Sequence, residues 1–226
     1  MKPRLPSGIQ PIHASLYLKK EESLIISDIH IGLEDAYHAK GMLLPRTQRR
    51  ELKEALDAIL TKVHPKTFIL NGDLKHEFGK ISNQEWDDLL WLIDYLQARG
   101  EVRVIEGNHD PLLDRILSKR KLAVQRYLRI GDIFICHGDH YLPESEGKGI
   151  KTIIIGHLHP AKTITDGIRE EKYKCFLLGT YKKKRLIVLP SFNPLITGSE
   201  PELGKSPYLN KQYACFLIGK DRIYPL

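Results

Sequence analysis

The chemistry this sequence can do is concentrated in five short strings, each placed directly after an apolar run. They are Asp28-Ile29-His30, Asn71-Gly72-Asp73, Gly107-Asn108-His109-Asp110, Cys136-His137-Gly138-Asp139 and Gly156-His157-Leu158-His159. Side chains two residues apart on an extended chain face one way. Asp28 with His30, and His157 with His159, are therefore expected to share a target. Asp28, His30, Asp73, Asn108, His137, His157 and His159 make a candidate ligand set of oxygen and imidazole nitrogen, with no thiolate. Such a set suits Mn²⁺, Fe, Zn²⁺, Co²⁺ or Ni²⁺ and disfavours Cu(I) or an iron–sulfur cluster. It is large enough for two divalent ions. Two ions about 3.5–4 Å apart need a bridging oxygen, which a carboxylate provides, and together they bind phosphate and activate water. His157 and His159 are then expected to serve one ion each.

The elements that must position these strings can be read from periodicity. SLIISDIH (23–30), TFILNGD (67–73), VRVIEGNHD (102–110) and TIIIGHLH (152–159) read as buried strands with polar ends. ASLYLKKEESLIIS reads as a hairpin feeding the first of them. Leu52, Leu56, Ile59, Leu60 and Val63 recur at helical spacing after Pro45. Ser82-Asn83-Gln84-Glu85 has the form of a capping box, opening a helix that Gly100 ends. PLLDRILSK predicts a short helix. The second half reads mostly as strand. LAVQRYLRIGDIFICHGD is a hairpin through Gly131-Asp132, a second hairpin turns at the lysine run after KYKCFLLG, and a third turns at Gly219-Lys220-Asp221. Strand carboxyl ends in open α/β sheets converge on one crevice, so the five strings are expected to meet there. One domain of two stacked mixed sheets with helices outside is predicted.

In this order, the blocks D-x-H, G-D, G-N-H-D, H-G and G-H-x-H resemble the calcineurin-like metallophosphoesterase superfamily. The longer strings LIISDIHIGLE, NGDLKHEFG, GHLHPA and LPSFNPL are similar to small archaeal phosphoesterases related to Mre11 and SbcD, and to bacterial ligase-associated phosphoesterases. The resemblance implies a four-layer αββα sandwich. It implies that Asp28, His30 and His159 hold one ion, that Asn108, His137 and His157 hold the other, and that Asp73 bridges them. It further implies that His109 faces the scissile phosphate as general acid or transition-state donor, with Asp110 orienting it. Leu74-Lys75-His76 departs from the G-D-x-x-D of the Mre11 type and from the G-D-x-V-D-R-G of phosphoprotein phosphatases, which argues against protein phosphatase activity. His76 is expected either to approach phosphate or orient a ligand, or to be a solvated loop residue. Residues 1–226 are read as a single domain with no capping domain.

Composition sets the remaining bounds. The chain has 226 residues, 42% hydrophobic and 28% charged, which describes an ordinary globular protein. No apolar run approaches the ~20 residues that cross a bilayer, and no secretory signal is visible. Cys136, Cys175 and Cys215 are odd in number and far apart, so a cytoplasmic protein with packed thiols is expected. A net charge of +7 favours an anionic partner. Arg46, Arg49 and Arg50 stand in the first turns of a helix, where cations oppose the dipole, which favours a functional role. Lys182 to Arg185 reads as a solvated turn with a phosphate-contacting finger as its rival. Trp86 and Trp91 read as core. Ser191, Phe192 and Asn193 either line the pocket or merely turn before Pro194. The leading expectation is a bimetal phosphodiesterase, with Mn²⁺ the favoured ion, acting as a nuclease on DNA sooner than RNA, in repair or processing. The alternatives are a small-substrate phosphoesterase and a non-catalytic scaffold.

Overall fold

The computed structural model describes residues 5–141, 143–202, 206–209, 212–220 and 222–226. In the first sheet, β1 (Ile9–Ile12), β2 (Ser15–Leu18) and β3 (Ser23–Ile26) run antiparallel. Parallel β4 (Thr67–Asn71), β5 (Glu101–Ile105) and β6 (Val124–Gln125) follow, so spatial order equals chain order. In the second sheet, β7 (Tyr127–Ile130), β8 (Ile133–Cys136), β9 (Thr152–Ile155), β12 (Lys184–Val188), β11 (Glu170–Tyr181), β13 (Ala214–Ile218) and β14 (Ile223–Pro225) lie side by side. There β8, β9 and β12 are parallel, and β10 (Ala161–Thr165) pairs with β11. The described α-helices are α1 (Leu33–Ala39), α2 (Gln48–Leu60), α3 (Asn83–Gln97) and α4 (Leu113–Leu117).

Alternation along each strand divides the interior into layers, because successive side chains point to opposite faces. Leu24, Ile26, Phe68, Leu70, Val102 and Val104 turn outward to meet Leu52, Leu56 and Ile59 of α2, Leu89 to Leu96 of α3 and Ile116 of α4. Ile25, Ile69 and Ile105 turn inward against Ile135, Ile154, Phe176 and Ile187 of the second sheet. The far face of the second sheet carries Phe134, Ile153, Ile155, Cys175 and Val188, covered among the described residues by Ile150, Tyr208 and Leu209. The expected α/β fold of two mixed sheets flanked by helices is present.

Some segments differ from expectation. LAVQRYLRI is not one strand: β6 finishes the first sheet, the chain crosses at Arg126, and β7 begins the second sheet. The β1, α1 and β10 elements had no counterpart in the sequence reading. The second half holds the lysine turn as a left-handed pair, Lys182 and Lys183 at φ 45° and 64°, the geometry of a two-residue hairpin loop. The third hairpin is formed by β13 and β14; its Asp221 lies outside the described residues.

Candidate metal centre

All five polar strings come together at the carboxyl ends of β3, β4, β5, β8 and β9, at the seam between the sheets. The first sheet brings Asp28, His30, Asp73 and Asn108; the second brings His137, His157 and His159. One donor atom each from Asp28, His30, Asp73 and His159 lies within 4.8 Å of the others, and the same holds for Asp73, His137 and His157. Asp73 belongs to both groups. Its Oδ2 is 3.6 Å from His30 Nε2 and 3.2 Å from His137 Nε2. His159 Nε2 lies 3.1 Å from Asp28 Oδ1 and 3.2 Å from His30 Nε2. His157 Nδ1 sits 3.2 Å from His137 Nε2, and Asn108 Oδ1 is 3.1 Å from the same nitrogen. Imidazole nitrogens facing each other across carboxylate oxygens pool lone pairs at two points. That donor set fits two divalent cations of the Mn²⁺ to Zn²⁺ type.

The reason for the convergence differs from the extended-chain argument. Both strands stop before their ligands. Asp28 (φ 58°), His30 (φ 46°), Asp73 (φ 51°), His157 (φ 67°) and His159 (φ 42°) all have left-handed backbone, a conformation that costs a residue with a Cβ roughly 1–2 kcal/mol. Strain of this kind persists where surrounding bonds over-determine it. Here Asp28 N–H donates to Gly72 O at 3.1 Å and His30 N–H to Asp73 O at 2.9 Å. Both Asp28 oxygens accept from the His157 N–H, at 3.0 and 3.1 Å. Gly156 is required beside them, since a Cβ there would overlap Ser27 Oγ and the Asp28 carboxylate.

Electrostatics follow from burial and proximity. Burial works to raise the Asp28 carboxyl, but the hydrogen bond and charge of His159 and the charge of His137 outweigh it and hold the pKa below its ordinary value. Asp73 is likewise held low against burial, chiefly by His137. Burial works against charge on His137, yet Asp73 and Asp28 overcome it and push its pKa up to about 9. His30 is lowered to about 3 by burial, and burial lowers His157 as well. The raised His137 places one positive charge beside the Asp28 and Asp73 carboxylates.

His109 stands at the edge of this cluster, partly exposed. Its N–H donates to Asp73 Oδ1 at 2.8 Å, its Nδ1 lies 2.7 Å from His76 O, and the Phe78 ring packs on it with centroids 3.8 Å apart. The His76 carbonyl thus orients the imidazole. Asp110 does not: its Oδ1 accepts from Leu74 and Lys75 N–H at 2.9 and 3.2 Å, and its Oδ2 from Gly107 N–H at 2.9 Å. Geometry gives Asp110 the task of tying the Asp73 loop to the Asn108 loop. Burial, then the charge of Asp73, pushes the Asp110 pKa up to about 7. His76 is not a solvated residue; its Nδ1 is buried without a hydrogen-bond partner among the described residues, and a nitrogen of its ring lies within 4.8 Å of ones on His30 and His109.

Four further residues support the ligand loops: Ser191 and Asn193, which the sequence left between pocket lining and a simple turn, and Gln48 and Lys174, which no sequence pattern marked. Ser191 Oγ donates to Asp28 O at 2.7 Å, and Asn193 Nδ2 donates to Ile29 O at 2.8 Å and His30 O at 3.3 Å. Gln48 Nε2 donates to His30 O at 2.8 Å. Lys174 Nζ in turn holds the carbonyls of Ser191 and Asn193; burial lowers its pKa to about 8. The 191–193 segment therefore braces the first ligand loop. The capping box is present, and its Glu85 also accepts from the N–H groups of His76 and Glu77 at 3.0 and 2.8 Å.

The basic clusters are placed less favourably for a substrate. Arg46 pairs with Asp35 at 2.7 Å, Arg49 with Asp88 at 3.3 Å and Arg50 with Glu54 at 3.8 Å. Arg185 is in register with Thr152, at the end of β9 opposite to His157, and Lys184 Nζ holds Gly147 O at 2.8 Å.

Comparison with solved structures gives a nuclease MPE from Pseudomonas putida, 19% identical, covering 96% of this chain and 100% of that one, with a TM-score of 0.69. This likeness establishes the fold. A protein of unknown function from Aquifex aeolicus is 18% identical over 61% of this chain and 78% of that one, TM-score 0.39. A Zn-complexed Vps29 from Entamoeba histolytica is 15% identical over 90% and 96%, TM-score 0.35. Neither of these two bears on the argument. No curated protein sequence matches. A family model described as calcineurin-like phosphoesterase matches residues 23–203, a span that takes in every ligand loop from Asp28 to His159. The chain belongs to the calcineurin-like phosphoesterase family and is a metal-dependent phosphoesterase.

Proposed function

We propose that this enzyme is a phosphodiesterase that uses two Mn²⁺ ions to hydrolyse DNA, in preference to RNA, in repair or processing. The observation that carries the bimetal reading is Asp73, which belongs to both donor groups. Asp28, His30 and His159 would hold one ion, and Asn108, His137 and His157 the other. Bound there, the ions supply positive charge for the phosphate and acidity for the attacking water. The chain's own contribution is geometric and acid–base. With Nδ1 of His109 spent on the His76 carbonyl, its Nε2 is left to pass a proton to the leaving oxygen. Asp110 keeps the Asp73 and Asn108 loops in register. The fold shared with a nuclease from Pseudomonas putida and the net charge of +7 support a nucleic acid substrate. The buried thiols Cys136 and Cys175 suit a reducing compartment, so a cytoplasmic location is part of the same reading. Residues 1–226 acting as one catalytic unit completes it.

A small-substrate phosphoesterase is the second reading. It is favoured by the pairing of Arg46, Arg49 and Arg50 with carboxylates and by the distance of Lys182 to Arg185 from the ligands. The decisive experiment is a panel with Mn²⁺: single-stranded and duplex DNA, RNA, cyclic nucleotides and bis-p-nitrophenyl phosphate. Cleavage of DNA above all others supports the nuclease. Turnover of cyclic nucleotides alone overturns it, and no turnover of any phosphodiester removes the phosphodiesterase reading.

A further inference from the structure

A cleft of about 690 Å³ opens beside Asn108, on the second-ion side of the centre. Its volume falls in the ~300–1,000 Å³ range of sites that enclose small organic ligands. Its floor is apolar: Phe134 and Cys136 from β8, with the fully buried Tyr208 beneath them. Tyr127 forms part of the wall, its ring stacked on Phe134 with centroids 5.0 Å apart and 27° between planes. The lining also includes Arg126, at the crossing between the sheets, and Tyr141, which is 69% exposed, together with the carboxylates of Glu106 and Asp139. The floor is braced, since Tyr208 Oη donates to His140 O at 2.8 Å.

Arg126 is the informative residue. The arginines of the α2 amino end are all paired with carboxylates, whereas Arg126 makes no ion pair with any described residue and is exposed. A cation and two tyrosine rings around an apolar floor make a recognition surface for a flat aromatic group with a polar edge. Asn108, at the rim, belongs to the phosphate-binding centre. The ligand therefore joins a planar ring to a phosphate within one residue's reach.

We infer that this cleft binds the nucleoside adjoining the scissile phosphate, with its base stacked between Tyr141 and Arg126 over the apolar floor. The inference rests on the phosphoester reading above and deepens it. It also sets the strand state of the substrate locally: a base that enters a walled cleft has left its stack and its partner. The nucleotide beside the cut is unpaired when it is bound.

The test uses the Mn²⁺-loaded His109→Ala protein and calorimetric titration with three probes: inorganic phosphate, 2-deoxyribose 5-phosphate and thymidine 5′-monophosphate. The base should tighten binding at least about fivefold over deoxyribose 5-phosphate, the lower end of what one stacked base contributes. Combining Arg126→Ala with Tyr141→Ala should erase that ratio and leave the affinity for deoxyribose 5-phosphate unchanged, while Tyr141→Phe should preserve the ratio. Equal affinity for the sugar phosphate and the nucleotide overturns the cleft assignment and leaves the phosphoester reading standing. So does a ratio that survives the double substitution. Failure of all three probes to bind overturns the phosphoester reading, and the cleft assignment with it.

Discussion

Asn193→Ala is expected to damage one ion site and spare the other. Asn193 is fully buried. Its Nδ2 serves Ile29 O and His30 O, and its Oδ1 accepts from Leu195 N–H at 2.8 Å. Truncation removes the partner of the N–H of Leu195, an exposed residue, and weakens the bracing of two carbonyls that retain Gln48 as a donor. Three hydrogen bonds are lost, each worth about 0.5–1.5 kcal/mol net, so a destabilisation of about 2–3 kcal/mol is expected. At roughly 2–4 °C per kcal/mol for a chain of this size, the melting temperature should fall by about 5–10 °C. The strain in the loop is of the same order: two left-handed residues, Asp28 and His30, at roughly 1–2 kcal/mol each. Losing the brace therefore lets the loop relax, and the Asp28 and His30 donors lose their shared focus. Removing an outer support of a metal site typically costs about 10–100-fold in affinity. The assay is Mn²⁺ titration followed by electron paramagnetic resonance, with a thermal melt alongside. One site should weaken by that factor and the other, built from Asn108, His137 and His157, by no more than a few-fold. Equal weakening of both sites, or wild-type affinity at both, would refute the bracing argument.

Asp73→Asn removes the charge shared by both donor groups, so elemental analysis should find both ions depleted; one retained ion would show that Asp73 is not the bridge. His109→Ala should bind metal normally and lose about 10²–10⁴-fold in turnover, the usual contribution of an acid–base group; near-wild-type rates would be inconsistent with its role. The metal-free protein should become less stable as pH rises from 6.5 to 9. Folded His137 has its pKa raised to about 9, so its contribution is complete below 6.5 and is lost as pH passes 9, up to about 3 kcal/mol. Calorimetry in chelator tests this, and a flat profile sinks it. Changing Lys182, Lys183, Lys184 and Arg185 to Ser should leave the salt dependence of oligonucleotide binding unchanged, because each lost phosphate contact would reduce the slope by ~0.7–0.9; a reduced slope would place the cluster on the strand.

The strands that carry ligands were legible because each is an apolar run ended by a polar string, a pattern that burial on both faces imposes. Elements without such a pattern were missed. Pro11 interrupts β1, which is tolerated because β1 is an edge strand. In β10, Thr163 is half-buried and Ile164 and Thr165 exposed, so no alternation shows. The crossing at Arg126 was hidden because a chain that changes sheets keeps its strand-like composition. Membership of Asp28 and His30 in one group was foreseen, but for the wrong reason: their left-handed backbone is held by the carbonyls of Gly72 and Asp73 and by donors farther along the chain, the Ser191 hydroxyl on Asp28 O and the Asn193 amide on His30 O. No local spacing encodes that. Asp110 shows the same limit, since its neighbour in sequence is His109 while its bonds reach Leu74 and Lys75.

The division of the ligands between the sheets has a mechanical consequence. Asp28, His30, Asp73 and Asn108 ride on one slab and His137, His157 and His159 on the other, and a largely aliphatic filling that includes Ile25, Ile69, Ile105, Ile135, Ile154 and Ile187 lies between the slabs. That filling is a shim. Its thickness sets the gap across which the two half-sites face each other, as the sheet spacing of ~10 Å is set by the side chains between. In the bimetal reading, residues that touch neither ion nor substrate would then set the gauge of the centre, and substitutions among these isoleucines are expected to shift its metal preference.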